Sequence, residues 1–280
     1  MDSQYCNKNC AFCIVNCALI QIMDFINGEI LYFNKPLHWT SFDVVNRVRR
    51  ILCRTLGQKK LKVGHAGTLD PLATGVMVLC TGKATKRIEE LQYGVKEYIA
   101  TLQLGATTPS FDLEHPVDKT YPTSHIYRKR IDETIQRFVG EIWQVPPAYS
   151  AVKIDGKRAF DYARKGQEVE IKPKLLVIDE IEVLEFNEES MLLTIRVVCS
   201  KGTYIRALAR DIGEALLSGA HLTALKRTQV GDIRLEDCME VEDFITCIEK
   251  GIIKQENTNE QEPKVFEPLG DEIISEANNS

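Results

Sequence analysis

"KVGHAGTLDPLATGVMVLCTGKATK", residues 62–86, is the most information-dense stretch of the chain. Gly64, Gly67, Gly75 and Gly82 punctuate it, and Pro71 follows Asp70 directly. Glycine permits positive φ and close backbone approach, so such a loop can present one side chain into a crowded site. Proline holds the preceding residue extended, which fixes the direction of the Asp70 carboxylate. Leu69 and Leu72 flank the acid and predict a loop packed inward on both sides, ahead of an apolar strand, "VMVLCTG". "TGKA" invites a phosphate-cradling reading, but that motif needs glycine five residues before Gly82 and Ser or Thr after Lys83. Met77 and Ala84 stand there instead. A metal site built on His65 and Asp70 lacks a third nearby ligand. Taken alone, Asp-Pro in a glycine-rich loop simply makes a turn.

Upstream, "GEILYFNKP" predicts a strand ended by Pro36. "TSFDVVNRVRRIL" predicts a helix capped by Thr40 or Ser41, with Val44, Val45, Val48, Ile51 and Leu52 on one face. Arg47, Arg49, Arg50 and Arg54 fall on or near the other face. Downstream come a helix in "KATKRIEELQYG", a strand in "EYIATLQLG" and a charged helix from about Ser124 to Gly140. "IWQVPPAYSAVKIDGKRAFDYARKG" reads as strand, loop and short helix. Residues 168–186 and 191–199 are β-rich, and "SKGTYIRALARDIGEALL" reads as a turn and a helix. Strands and helices mix without strict alternation, which favours a mixed sheet over a doubly wound one.

A 44% apolar and 27% charged composition is that of an ordinary soluble globular chain, with ample length for a core. No apolar stretch reaches spanning length, and no basic n-region or small-residue cleavage site marks a signal peptide. The reading is therefore a cytoplasmic protein without a membrane partner. The net charge of −5 is unevenly spread. Residues 236–280 hold 13 acidic and 3 basic residues, which leaves the body with 32 basic and 27 acidic ones. A polyanionic partner is not excluded by the overall charge, because local patches dominate phosphate attraction. Lys59, Lys60, Lys62, Lys83, Lys86 and Arg87 flank the Asp70 loop. Such a run is usually a solvated face, but here it flanks the loop, where it could meet a polyanion.

"GHAGTLDPLATGVMVLCTGKATK", "YFNKPLHWTSFDVV", "KEYIATLQLG", "PPAYSAVKIDGKRAFDYARKG" and "CSKGTYIRALARDIGEAL", the last continuing into "GAHLTALKRTQVG", occur in one order over about residues 28–235. Together they resemble the TruB family of tRNA pseudouridine synthases. The resemblance implies an α+β pseudouridine synthase fold with a mixed, largely antiparallel central sheet. It also implies an isomerase that converts a uridine in the T-arm loop of tRNA to pseudouridine by glycosidic cleavage, base rotation and C–C bond formation. No cofactor and no metal are implied.

By the same resemblance Asp70 is the essential catalytic carboxylate, attacking the sugar or acting on it as a base, and Arg206 is its partner. Tyr98 stacks on the target base and helps remove the C5 proton. Lys35 supports the active-site strand, and Tyr204 and Leu225 line the pocket. His65 enters the T-loop where the flipped uridine leaves a gap; flipping is required because a stacked base hides its glycosidic bond. On pattern alone Lys35 would be a surface charge, Tyr98 a core tyrosine and His65 an exposed turn; their joint occurrence in family order favours the functional roles. "GATTPSFDLEHPV" departs from the family pattern, with Pro109 and Ser110 where "TDT" is usual, although Asp112 is retained. The expected division is an N-terminal extension (1–27), a catalytic domain (28–235) and a short acidic tail (236–280), too short and too negative for an added RNA-binding PUA domain. A monomer acting on a tRNA T-arm stem-loop is expected.

The N-terminal "CNKNCAFC" (6–13), followed by Cys17, stands outside that scheme. Its C-x3-C-x2-C spacing resembles the cluster motif of radical SAM enzymes, but no repeating strand–helix barrel follows. A zinc site is a second reading. The spacing also puts Cys6, Cys10, Cys13 and Cys17 on one helical face, where cysteine acts as a small hydrophobe. The reading preferred is an incidental extension, with Met23 as the initiator. A non-catalytic tRNA binder on the same fold is the other alternative, disfavoured by the intact Asp70, Tyr98 and Arg206.

Overall fold

A computed structural model describes residues 23–249 apart from positions 155 and 168. The cysteine cluster at 6–17 and most of the acidic tail lie outside the described residues. The strands are β1 (Ile30–Lys35), β2 (Val63–Ala66), β3 (Ala73–Thr81), β4 (Lys96–Leu104), β5 (Ala106–Thr107), β6 (Lys119–Thr120), β7 (Gly140–Gln144), β8 (Lys153–Ile154), β9 (Lys157–Arg158), β10 (Lys174–Asn187), β11 (Leu192–Cys199), β12 (Ala220–Val230), β13 (Ile233–Arg234) and β14 (Met239–Glu240). The helices are α1 (Ser41–Thr55), α2 (Ile88–Leu91), α3 (Arg128–Ile135), α4 (Ala159–Ala163), α5 (Ile205–Ala215) and α6 (Val241–Glu249).

Ten strands form one sheet, in the order β14-β1-β3-β12-β4-β11-β10-β7, with β2 paired to β3 and β13 to β12. All pairings in it are antiparallel except β1 with β14 and β3 with β12. The fold is thus α+β with a mixed, largely antiparallel sheet.

The β3–β12 seam depends on one glycine. Gly75 has φ +108°, and a Cβ there would come within 2.1 Å of the Arg227 carbonyl oxygen. Only a residue without a side chain lets the two strands meet.

Apolar patterning explains how the helices sit. In α1, Val44, Val45, Val48, Ile51 and Leu52 are buried as their spacing predicts. Thr40 caps the helix: its side chain accepts from the Asp43 N–H while the Asp43 carboxylate accepts from the Thr40 N–H. Ser41, the other candidate cap, serves the Asp70 loop instead. In α5, Ile205, Leu208, Ala209 and Ile212 face the sheet. The region 82–91, read as one helix, is a 3-10 segment (Gly82–Arg87) running into a single α-turn.

Both domain boundaries move outward from the sequence expectation. Phe25, counted with the N-terminal extension, is fully buried with its ring edge-on to Phe244. Residues 236–249, counted with the acidic tail, supply β14 beside β1 and α6, whose Val241, Phe244, Ile245 and Ile248 enter the core. Charge counting concealed that helix, because its acids fall on the exposed face of an apolar stripe. Among the described residues no helix is long and apolar enough to cross a membrane.

Candidate active site

Asp70 lies on the loop between β2 and β3, and that loop is pinned on both sides of the acid. The Ser41 Oγ accepts from the Leu69 N–H at 2.8 Å and donates to the Leu69 carbonyl at 2.9 Å. On the other side the Pro71 carbonyl accepts from the His38 N–H at 2.8 Å. Lys35 is fully buried, its Nζ donating to the carbonyls of Pro36 and Trp39 at 2.7 Å each and lying 3.5 Å from that of Pro71. Burial pulls its pKa down to about 8. Lys35 is therefore neither a surface charge nor part of the cleft wall; it braces the loop from beneath.

Arg206, in the first turn of α5, donates from Nε to the Asp70 carboxylate at 2.9 Å. Its other nitrogens donate to the carbonyls of Ser110 (3.2 Å) and Tyr149 (2.9 Å). The Asp112 carboxylate lies 3.6 Å from the same Nε. The segment around Pro109 and Ser110, which departs from the family pattern, is thus tied to Arg206. The Arg206 side chain is 6% exposed and that of Asp70 39%, so the cation is sealed in place while the carboxylate faces the opening. A guanidinium fixed by three partners holds a carboxylate in one orientation.

The opening is a cleft of about 530 Å³, lined by Asp70, Tyr98, Tyr204, Arg206, Leu225 and Arg227 among others. β4 and β12 put Tyr98 opposite Arg227 in register, and Leu225 opposite Ala100. Tyr98 is buried, which raises its phenol pKa against the opposing pull of the Arg227 cation. Tyr204 precedes α5, its backbone clamped by Gln144, which accepts from its N–H at 2.9 Å and donates to its carbonyl at 3.2 Å. Burial likewise raises its pKa.

Six of the seven residues singled out in the sequence gather here: Asp70, Tyr98, Arg206, Tyr204 and Leu225 on the cleft wall, and Lys35 below the loop. His65 does not join them. It sits in β2 opposite Leu79, half-buried and not itself on the cleft wall but next to Gly67 and Arg227, which are; burial, with the Arg227 cation adding to it, lowers its pKa. The basic run at 59–62 and 83–87 is exposed but also lies off the cleft, and Arg87 is engaged by Glu90. Besides Arg206 and Arg227, the cations at the cleft are Lys96, Arg158, Arg164 and Lys201. Three lie against aromatic rings, Arg158 and Arg164 over Phe160 and Lys201 over Tyr93. Arg227, Lys96, Gln144 and Ser41 had not been singled out; only the buried neighbours they serve reveal them.

The arrangement offers a half-open, ion-paired carboxylate beside a phenol, in a basic cleft with aromatic surfaces. It suits attack or proton removal at a sugar carbon of a polyanionic substrate. Among the described residues no group of three or more His, Cys, Asp or Glu is placed to share a metal ion.

Comparison with known proteins agrees with that chemistry. Residues 53–205 match the model of the TruB family pseudouridylate synthase N-terminal domain, and residues 206–266 that of the tRNA pseudouridylate synthase B C-terminal domain. The chain is 68% identical over 233 residues to tRNA pseudouridine synthase B of Phocaeicola vulgatus, covering 83% of this chain and 98% of that one. It is 66% identical over 239 residues to the Bacteroides thetaiotaomicron protein of the same name, covering 85% and 100%. Among solved structures it resembles a chain of a Cbf5-Nop10-Gar1 complex, with a TM-score of 0.58 and 28% identity. A chain of an H/ACA RNP bound to a substrate RNA containing 2'-deoxyuridine gives a TM-score of 0.56 and 27% identity. In both, the match covers 79% of this chain and 54% of the other.

Proposed function

The chain belongs to the TruB family of tRNA pseudouridine synthases, which are isomerases, and from that premise we propose that it modifies a uridine of the T-arm loop with Asp70 as the catalytic carboxylate. One observation carries the assignment: the only carboxylate that both pairs with Arg206 at 2.9 Å and lines the large cleft, among the described residues, is Asp70. The flipped uridine would lie against Tyr98, with its sugar toward Asp70 and Leu225 and Tyr204 closing the sides. Rim cations Arg158, Arg164 and Lys201 would meet the phosphates, so binding should weaken steeply with salt.

The reaction is an isomerisation and its atoms balance without a co-reactant. The N1–C1′ bond breaks, the base turns, C5 bonds to C1′, a proton leaves C5 and one is gained at N1. Asp70 must lie close to the sugar for this, and the Arg206 bond holds its carboxylate in one orientation on the cleft wall.

The test is to incubate tRNA transcripts with wild type and with Asp70→Asn and map pseudouridine. Wild type is expected to modify the T-arm loop. The variant should lose turnover by at least about 10²–10⁴-fold while keeping its RNA affinity. Equal modification by both proteins would remove Asp70 from the mechanism.

A further inference from the structure

Arg227 is 2% exposed, on β12 in the middle of the sheet. Its Nε donates to the Val76 carbonyl at 2.8 Å and its Nη2 to the Gly67 carbonyl at 3.2 Å. Both partners are neutral, and among the described residues no carboxylate forms an ion pair with it; Arg206 takes Asp70 and Asp112. A buried cation without a counter-ion is expensive to keep.

Two neighbours repeat the pattern. Lys96 and Lys35 are buried and held by backbone carbonyls, Lys96 by Gln92 and Gly94, Lys35 by Pro36 and Trp39. Lys96, like Arg227, lines the cleft beside Tyr98. Gly67, also on the cleft wall, lies against the guanidinium: a Cβ there would be in ordinary contact with Nη1, at 3.5 Å. The floor of the cleft thus carries more positive charge than its own acids neutralise.

The reaction assigned above generates an anion at this place. When N1–C1′ breaks, its electron pair stays on the uracil and spreads from N1 to O2 and O4, while the electron-poor sugar carbon turns to Asp70. We propose that Arg227 is a catalytic residue that stabilises the uracil anion between bond breaking and bond making, with Lys96 adding to the field. The assignment rests on the reading of the cleft as a uridine site. A preorganised cation in a water-poor site acts on developing charge without reorganising. A phosphate is the other anion the substrate could bring. It fits the exposed rim cations Arg158 and Arg164, not a guanidinium sealed into the floor beside the base-stacking tyrosine.

Leaving-group chemistry tests the proposal. Fluorine at C5 withdraws electrons and makes the uracil anion a better leaving group, so it needs less help from the protein. Single-turnover consumption of uridine and of 5-fluorouridine in the same tRNA transcript would be compared for wild type, Arg227→Gln and Arg227→Lys, with RNA binding and thermal melting recorded for each. Arg227→Gln is expected to slow the uridine substrate roughly 10²–10³-fold, the scale of losing one such stabilising group, with unchanged RNA affinity. On 5-fluorouridine the loss should be at least several-fold smaller. Arg227→Lys should fall between wild type and Gln. Equal losses on both substrates, or weaker RNA binding with an unchanged rate at saturation, would overturn the proposal. If the Gln variant melts below the assay temperature, the Lys variant supplies the same comparison, and equal losses there overturn it too. Failure of wild type to convert uridine, or of Asp70→Asn to abolish conversion, would instead overturn the reading beneath it.

Discussion

On one side of the β3–β12 seam, β1 and β3 lie under α1 and α6 around three phenylalanines. Phe33 and Phe25 both meet Phe244 edge-on, with ring centroids 5.2 and 6.2 Å apart. On the other side, β4, β11 and β10 pack aliphatic side chains such as Leu102, Ile195 and Ile178 against α5 and α3. The first core is closed by segments far apart in the chain, Phe25 before β1 and α6 after β14. The second is built from strands paired antiparallel over long registers. Asp70 is carried by the β2–β3 loop and Arg206 by α5, so the ion pair is one link across the seam, beside the Arg227 hydrogen bonds to Val76 and Gly67. Activity should therefore report on the joint, and stability on each core.

The joint is broken most directly at Arg206. Arg206→Lys keeps a charge but cannot reach Asp70, Ser110 and Tyr149 together, because the planar fork is lost. Turnover should fall by roughly 10²-fold or more, with RNA binding retained and only a modest drop in melting temperature. Single-turnover kinetics and a melt of the same sample check this. A large loss of melting temperature with normal turnover would mean that Arg206 serves the second core and not the joint.

The opposite pattern is expected deep in the first core. Phe244→Ala removes a fully buried ring contacted by two others, for which about 3–5 kcal/mol of stability is the usual cost. Chemical denaturation measures that loss. Turnover per folded molecule at low temperature should stay close to wild type, since neither the pinned loop nor Arg206 is touched. A turnover that falls in step with stability would show that the two sides are one energetic unit.

The contrast also explains what could be read from the sequence. The elements of the second side, β4, β10, β11 and α5, announce themselves by clean periodicity, as β4 does with every second residue buried. The first side was legible only in part. Phe25 looks like part of an odd leader, and α6 like part of an acid-rich tail, because composition outweighs four apolar residues at helical spacing. β12 escaped assignment altogether. Its buried positions include His221 and Arg227, so the alternation that marks a strand is written in polar residues. Within the site, Asp70, Tyr98 and Arg206 came from a family resemblance, and the cleft brings them together. Arg227 and Lys96 did not come forward, since a basic residue reads as surface until the strands on either side are known. His65 erred the other way: its glycine neighbours predict an exposed turn, but β2 pairs with β3 and draws it inward.

The finest test of the joint lies at Ser41, where a helix of the first core touches the Asp70 loop. Its hydroxyl satisfies both the N–H and the carbonyl of Leu69, next to Asp70. Ser41→Ala leaves both groups buried without that partner, at a cost of about 1–3 kcal/mol, less than the Phe244 truncation. Thr40 still caps the helix, so the loss should fall on the loop and not on α1. Turnover at saturating RNA should drop several-fold while the affinity for tRNA holds, and Ser41→Thr, which restores a hydroxyl, should recover much of it. If Ser41→Ala weakens α1 as a whole, seen as lost hydrogen-exchange protection along 41–55, the serine serves the helix and the loop is held by Pro71 and Lys35 alone. If protection is lost only around Leu69, the acid is aimed by a hydroxyl that the helix lends to it. The carboxylate then takes its position from the first core, just as its charge partner takes its own from the second.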